Sequence, residues 1–217
     1  MYQSSSKLIV SLLAILSLSA GSMNYTGQEK WQDLFDGKTL NGWIQRGGKA
    51  LYSVEDGTIV GTTVLGTPNS FLCTEKVFSN FILELEVKVD TALNSGIQIR
   101  SNSFKEYRNG RVHGYQVEID PSERAWSGGI YDEGRRGWLN DLQDNEAAGK
   151  AFKNGDWNHY RVEAIEDSIR TWVNGIPAAD LVDSMTATGF IALQVHGSKI
   201  EGLKVRWRNV RIQDLGP

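Results

Sequence analysis

The chain of 217 residues holds one cysteine, four prolines and three histidines. With Cys73 alone, no intramolecular disulfide can form, so packing has to carry the fold. The stretch around it, SFLCTEKVF (residues 70–78), is apolar on one side and offers no basic partner, which suits a small buried thiol rather than a nucleophile. An excess of charge is also lacking. Lys and Arg number 23 against 26 Asp and Glu, giving −3, with no block of like charge, so nothing recommends nucleic acid as a partner. No His-x-x-x-His or clustered His/Cys spacing occurs; a metal could be held only by carboxylates and imidazoles that converge in space. Helical periodicity is almost missing, apart from a turn or two expected around LQDNEAAGKAF (residues 142–152).

A long apolar run is missing too. Lys7 precedes Leu8–Leu16, which is well short of the roughly 20 residues that span a bilayer. Small residues follow in SLSAGS. This basic, apolar, small-residue order predicts a secretory signal over residues 1–22, cleaved after Gly21 or Ser22, with an uncleaved anchor as the alternative. No cysteine follows the run to take a lipid. The expectation is an exported protein, periplasmic or secreted, without membrane attachment once the signal is removed.

The full chain is rich in glycine (23) and tryptophan (7), and 40% hydrophobic. Short segments alternate with period two between glycine and asparagine turns. FILELEVKVD sets Phe81, Leu83, Leu85, Val87 and Val89 on one face and Glu84, Glu86 and Lys88 on the other. HYRVEAI and IRTWV read as a hairpin around Glu166-Asp167, and Asn174-Gly175 turns the chain again. No linker or internal repeat divides residues 23–217. The pattern predicts one all-β domain, an antiparallel two-sheet jelly-roll sandwich.

Three strands share a further pattern. Ile97 and Ile99 face a core, leaving Asn94, Gly96, Gln98 and Arg100 opposite. Tyr115, Val117 and Ile119 pack inward, leaving Gly114, Gln116, Glu118 and Asp120 outside. Ile191, Leu193 and Val195 are core, leaving Ala192, Gln194 and His196 outside. If the three share a sheet, their outer faces form one patch of amides, carboxylates, an arginine and an imidazole. Such groups fork onto vicinal sugar hydroxyls, whereas a merely solvated face favours Lys, Glu and Thr. His113 opens its strand at a rim, while His159 shares a face with Arg161 and Glu163 on the opposite sheet. In WSGGIYDEGRRGWL, glycines flank Tyr131, Asp132 and Glu133 and lead to Arg136 and Trp138, as in a binding loop at a sheet's rim.

The ordered series LFDGKTLNGW, LCTEKVFSNFILELEVKVD, LNSGIQIRS, GYQVEID, GGIYDEGRRGWL, WNHYRVEA, TWVNGIPAADLVD, TGFIALQVHG and RNVRI resembles the 3-keto-disaccharide hydrolase family, from about Trp31 to about Leu215. The resemblance implies a concanavalin A-like jelly roll. It also implies cleavage of small glycosides whose C3 has been oxidised to a ketone by a separate sugar dehydrogenase. A C3 ketone acidifies the C2 proton, so the chemistry needs a base near C2, an electrophile at the C3 oxygen and a proton for the leaving group. Glu118 and His196 are the candidates for base and acid, in an order the sequence leaves open. Asn94, Gln98, Arg100, His113, Gln116 and Gln194 would grip hydroxyls or the ketone, and Tyr131, Asp132, Glu133, Arg136 and Trp138 would form the rim. No organic cofactor is implied; one divalent ion, if bound, would sit on Glu118, His196 and Asp120.

Two other readings stand beside this one. EIDPSE fits the E-x-D-x-x-E spacing of laminarinase-like β-glucanases, with Glu118 as nucleophile, Asp120 its neighbour and Glu123 as acid/base. Retaining chemistry needs those carboxyls about 5 to 5.5 Å apart on one face, and Pro121, which ends or edges a strand, argues that Glu123 leaves it. The other is a non-catalytic carbohydrate-binding module, which the tryptophans suit and the dense ionisable patch opposes.

Overall fold

The computed structural model describes Met1 and residues 30–217, so the expected signal lies outside the described residues apart from Met1. In chain order the strands are β1 (Gln32–Asp33), β2 (Trp43–Gly47), β3 (Leu51–Glu55), β4 (Thr58–Thr62), β5 (Ser70–Phe78), β6 (Asn80–Val89), β7 (Ser95–Asn102) and β8 (His113–Ile119). They continue as β9 (Ile130–Glu133), β10 (Gly137–Asn140), β11 (Asn158–Ile165), β12 (Ser168–Val173), β13 (Ile176–Val182), β14 (Gly189–Val195) and β15 (Lys204–Gly216). One short helix, α1 (Glu146–Gly149), falls inside the segment expected to turn helically.

The strands form two antiparallel sheets, as the alternation predicts. Sheet A runs β13-β12-β11-β6-β15-β4-β3, with β1 added to β15; sheet B runs β10-β9-β8-β7-β14-β5-β2. Each sheet buries one face against the other in a shared core. Phe81, Leu83, Leu85, Val87 and Val89 of β6 and Ile97, Ile99, Tyr115, Val117, Ile119, Ile191, Leu193 and Val195 of sheet B all belong to it. Trp207 of β15 is fully buried among them and packs over Gly61, whose backbone leaves no room for a Cβ. The Glu166-Asp167 hairpin joins β11 to β12, and Asn174 and Gly175 both take positive φ in the next turn, as a tight hairpin requires. Cys73 is buried, and burial pushes its thiol up to about 12, in keeping with an inert core group.

The outer face of sheet A is charged and paired. Glu84 accepts from Arg161 Nη1 at 2.7 Å and Arg211 Nη2 at 2.6 Å, and His159 stands 3.8 Å from it. Arg208 pairs with Glu86 and lies over the Trp157 ring. Sheet B presents its outer face quite differently.

Candidate active site on the outer face of sheet B

Strands β8, β7 and β14 are neighbours in sheet B, so the three polar faces do meet. Register aligns Gln98 with Gln116 and with Ala192, and aligns Gly96 with both Glu118 and Gln194. Gln116 lies at the centre. Its Oε1 accepts from Gln98 Nε2 at 2.6 Å and from Gln194 Nε2 at 2.7 Å, while its Nε2 donates to Glu118 Oε2 at 2.9 Å. The side chain can cross only because residue 96 is glycine: a Cβ there would stand 2.4 Å from Gln116 Cδ. Gln98 and Gln194 are fully buried beneath this network, and Gln194 Oε1 has no partner among the described residues.

Glu118 and Asp120 are 4% and 3% exposed, yet both have their carboxylates satisfied. Glu118 Oε1 accepts from Asn94 Nδ2 at 2.7 Å and Arg124 Nη2 at 3.0 Å. Asp120 Oδ2 accepts from Arg124 Nε at 2.7 Å, and its Oδ1 accepts from Ser122 Oγ at 2.6 Å. One guanidinium therefore bridges the two acids. Pro121 stands two residues past the end of β8, and the Asp120 carboxylate caps the turn that follows, accepting from Ser122 N at 3.1 Å. The loop then folds back: Ser127 Oγ accepts from Asp120 N at 2.8 Å, and Gly128 N donates to Glu118 O at 2.9 Å. That return brings Arg124 over its own strand.

The two acids are pushed apart. Burial raises the Glu118 carboxyl, against the hydrogen bonds from Asn94 and Gln116 and the charge of Arg124, which lower it. Burial also acts to raise Asp120, but hydrogen bonds from Ser122 and Arg124 outweigh it and hold that carboxyl low. A neighbouring pair split in this way leaves Glu118 the readier of the two to hold a proton.

These groups line a cavity of about 750 Å³, within the range of small-molecule sites. Its walls include Asn94, Gln116, Glu118, Asp120, Tyr131, Glu133, Trp138 and His196. Arg124 packs against the Trp126 and Trp138 pair, its guanidinium 5.0 and 4.9 Å from their ring centroids. Tyr131 meets Trp138 edge to face at 5.2 Å. His196 stands exposed just beyond β14, and its Nδ1 lies 2.8 Å from Gly197 O. A carbonyl can only accept, so Nδ1–H donates and the neutral ring keeps its lone pair on Nε2.

Several expected site residues lie elsewhere. Arg100 does not face the cavity. A β-bulge between Ile99 and Asn102, with Arg100 at φ 45°, shifts the alternation by one, so Ser101 takes the outer position and donates to Gln98 Oε1 at 2.7 Å. The Arg100 guanidinium turns away to Ser79 O at 2.7 Å and Glu166 O at 2.6 Å. Asp132 pairs with Tyr115 across β8 and β9, so it shares Tyr115's inward side and is fully buried between Arg135 and Arg136. Arg136 also forks onto Asp183, at 2.8 and 3.1 Å, and holds that carboxyl at about 2. Asp132 and Arg136 are thus a structural ion network and no part of the rim. His113 does not line the cavity: its ring lies tilted 4.0 Å from that of Tyr107, and its Nδ1 lies 2.8 Å from the backbone O of Arg111. Gln98 and Gln194, buried beneath Gln116 and bonded to it, do not line the cavity. Glu123 is exposed and does not line the cavity, as Pro121 implied.

The candidate cation set is not assembled either. Among the described residues no three His, Cys, Asp or Glu side chains are grouped to hold a metal ion, and Arg124 occupies the position between Glu118 and Asp120. Arg124 was the chief residue unread in the sequence, with Asn69, Thr91, Arg111 and Ser122 also lining the cavity. The Asp-Pro-Ser turn start was its one signal, since such a turn sends residue 124 back toward residue 120.

Residues 30–213 match the model of a family described as the 3-keto-alpha-glucoside-1,2-lyase-like domain. Among solved structures, the chain is similar to a putative glycosyl hydrolase from Parabacteroides distasonis, with TM-score 0.61, 21% identity, and 86% and 94% of the two chains covered. It is also similar to carbohydrate binding module CBM66 from Bacillus subtilis, with TM-score 0.53, 15% identity and coverage of 84% and 99%. A galectin-like protein of unknown function from Bacillus subtilis gives TM-score 0.60 at 11% identity, covering 81% and 90%. No curated protein matches the sequence.

Proposed function

The chain belongs to the 3-keto-alpha-glucoside-1,2-lyase-like domain family, a glycosyl hydrolase-like or carbohydrate-binding class, and on that premise we propose that it cleaves 3-keto-glycosides by elimination across C1 and C2. The observation that carries this reading is the buried pair of acids sharing Arg124 in a cavity that also holds His196. His196 Nε2 takes the C2 proton, and the C2–H electron pair becomes an enolate conjugated with the C3 ketone. Arg124 stabilises the negative charge gathering on the C3 oxygen, using Nη1, which makes no bond to the described residues. The enolate re-forms the ketone as a C1=C2 double bond appears and the C1–O bond breaks. Glu118, whose raised carboxyl retains a proton more readily than Asp120, protonates the departing oxygen. Asp120 stays anionic and keeps Arg124 in place. Water adding across C1=C2 gives net hydrolysis. Arg124 thus supplies the electrophile for which a metal ion was a candidate.

The ketone has to come from a separate oxidation of the C3 hydroxyl, and the leader read over residues 1–22 would set the reaction outside the cytoplasm. The test is incubation of the purified chain with a 3-keto-α-glucoside in D₂O. Wild type should release the aglycone and form an unsaturated keto-sugar. Glu118→Gln should exchange C2–H for deuterium without release, and His196→Ala should do neither. Release by Glu118→Gln at the wild-type rate would remove Glu118 from the proton path. Sugar binding with no exchange and no release would instead favour the binding-module reading, which the Trp126, Trp138 and Tyr131 cluster supports.

A further inference from the structure

A second cavity of about 560 Å³ adjoins the first, and the two share Asn69, Arg111 and Glu133 as a common wall. Phe71 and Val112 lie at its base; they are buried members of a small apolar cluster on the outer side of sheet B. Its rim is basic. Arg108 and Arg111 face a single carboxylate, Glu133, which Arg111 Nη2 already pairs at 3.3 Å. Arg108 has no acidic partner among the described residues. It is nevertheless held in place: its guanidinium lies 5.3 Å from the Tyr107 ring, and Nη1 donates to Gly134 O at 3.0 Å. The Tyr107 hydroxyl donates to the same carbonyl at 2.8 Å.

The backbone there is unusual. Arg108, Asn109 and Gly110 take φ of 44°, 58° and 84°, three successive left-handed residues of which two carry side chains. Such a conformation persists only where surrounding contacts impose it. Here Gly110 N donates to Tyr107 O, and Ser103 Oγ donates to Gly110 O at 2.6 Å. The strained loop backbone presents a fixed cation whose Nε and Nη2 make no bond among the described residues, beside an apolar floor and next to the cavity that holds Glu118.

We infer that the second cavity is the leaving-group subsite and that Arg108 selects glycosides whose aglycone carries an anionic oxygen group, a carboxylate being the simplest. This inference rests on the reading of the first cavity given above. A sugar ring over Glu118 with its C1 substituent passing Asn69 and Arg111 would set the aglycone on Phe71 and Val112, with its anion against the Arg108 fork.

The test uses the full chain and two matched substrates, the 4-carboxyphenyl and 4-carbamoylphenyl 3-keto-α-glucosides, alike in shape and different in charge. Wild type should prefer the carboxylate by about tenfold in kcat/KM, the scale of one charge-assisted pair. Arg108→Gln should cleave both equally, and Arg108→Lys should keep part of the preference. Calorimetric titration with the unoxidised 4-carboxyphenyl α-glucoside provides a readout independent of turnover, with Arg108→Gln as the comparison. Equal cleavage of both substrates by wild type overturns the inference and leaves the elimination reading standing. Binding of the carboxyphenyl glucoside that weakens in Arg108→Gln, with no cleavage of either keto-glycoside, keeps the anion site and removes the elimination reading. Neither cleavage nor Arg108-dependent binding removes both.

Discussion

Two outer faces of one sandwich carry the same kind of alternating sequence and do opposite things. On sheet A, Glu84 sits among Arg161, Arg211 and His159, its carboxylate served by cations from both neighbouring strands. Burial acts to raise that carboxyl, but the bonds from Arg211 and Arg161 win and lower it. On sheet B, Glu118 has one guanidinium, two amides and an overlying loop, and there burial wins. A carboxylate with surplus cations nearby is an anion by design and holds strands together. One deprived of solvent with a single shared cation can exchange a proton. The difference lies in what covers the face, since the strands beneath are similar.

The largest test of that contrast sets Glu118→Gln against Glu84→Gln. Loss of the proposed general acid should lower the proposed keto-glycoside turnover by roughly 10²–10⁴-fold in the first, while the second should leave turnover at wild type; steady-state assays on both variants decide. Next comes Arg124→Gln, which removes the charge proposed to stabilise the enolate and should cost about 10²–10³-fold. Its pH profile carries a second signature. Arg124 lowers the Glu118 carboxyl, so its removal raises that group further, and the alkaline limb of kcat should move to higher pH.

Gly96→Ala probes the amide network from below. The new Cβ would drive Gln116 off its three bonds, which should cost about 1–3 kcal/mol of stability and lower turnover together; denaturant unfolding beside a turnover assay reads both. Arg161→Gln on sheet A should cost no more than about 1 kcal/mol, as for a half-exposed ion pair, and should spare turnover.

The smallest effect has opposite signs on the two faces. The Glu84 carboxyl is lowered from 4.5, so its contribution to stability is present above that pH and is lost as pH falls through the lower folded value. The Glu118 carboxyl is raised from 4.5, so its folded form binds a proton more tightly; that contribution is present at low pH and is lost as pH rises through the folded value. Melting temperatures of wild type minus each Gln variant, scanned from pH 3 to 8, should therefore rise with pH for residue 84 and fall for residue 118. Parallel curves would erase the distinction between the faces.

The amino-acid sequence by itself determined the two-sheet architecture, because period-two alternation commits each strand to one buried face and glycine and asparagine mark the turns. It also set Gln116, Glu118 and Asp120 opposite Val117 and Ile119, and Pro121 showed that Glu123 leaves the sheet. Only the tertiary structure decided the rest of the site. One bulged residue between Ile99 and Asn102 reverses the parity of everything after it, so Arg100 moved from the polar face to a structural role that alternation cannot foresee. Asp132 lost its place at the rim because pairing with Tyr115 assigns it the inward side. Arg124 reached Glu118 and Asp120 through a loop that returns on its own strand, a closure made by the bonds of Asp120 with Ser122 and Ser127. Which side chains share a face is a local property of the strand; which charges meet above it depends on bulges and loop closures that only the folded chain sets.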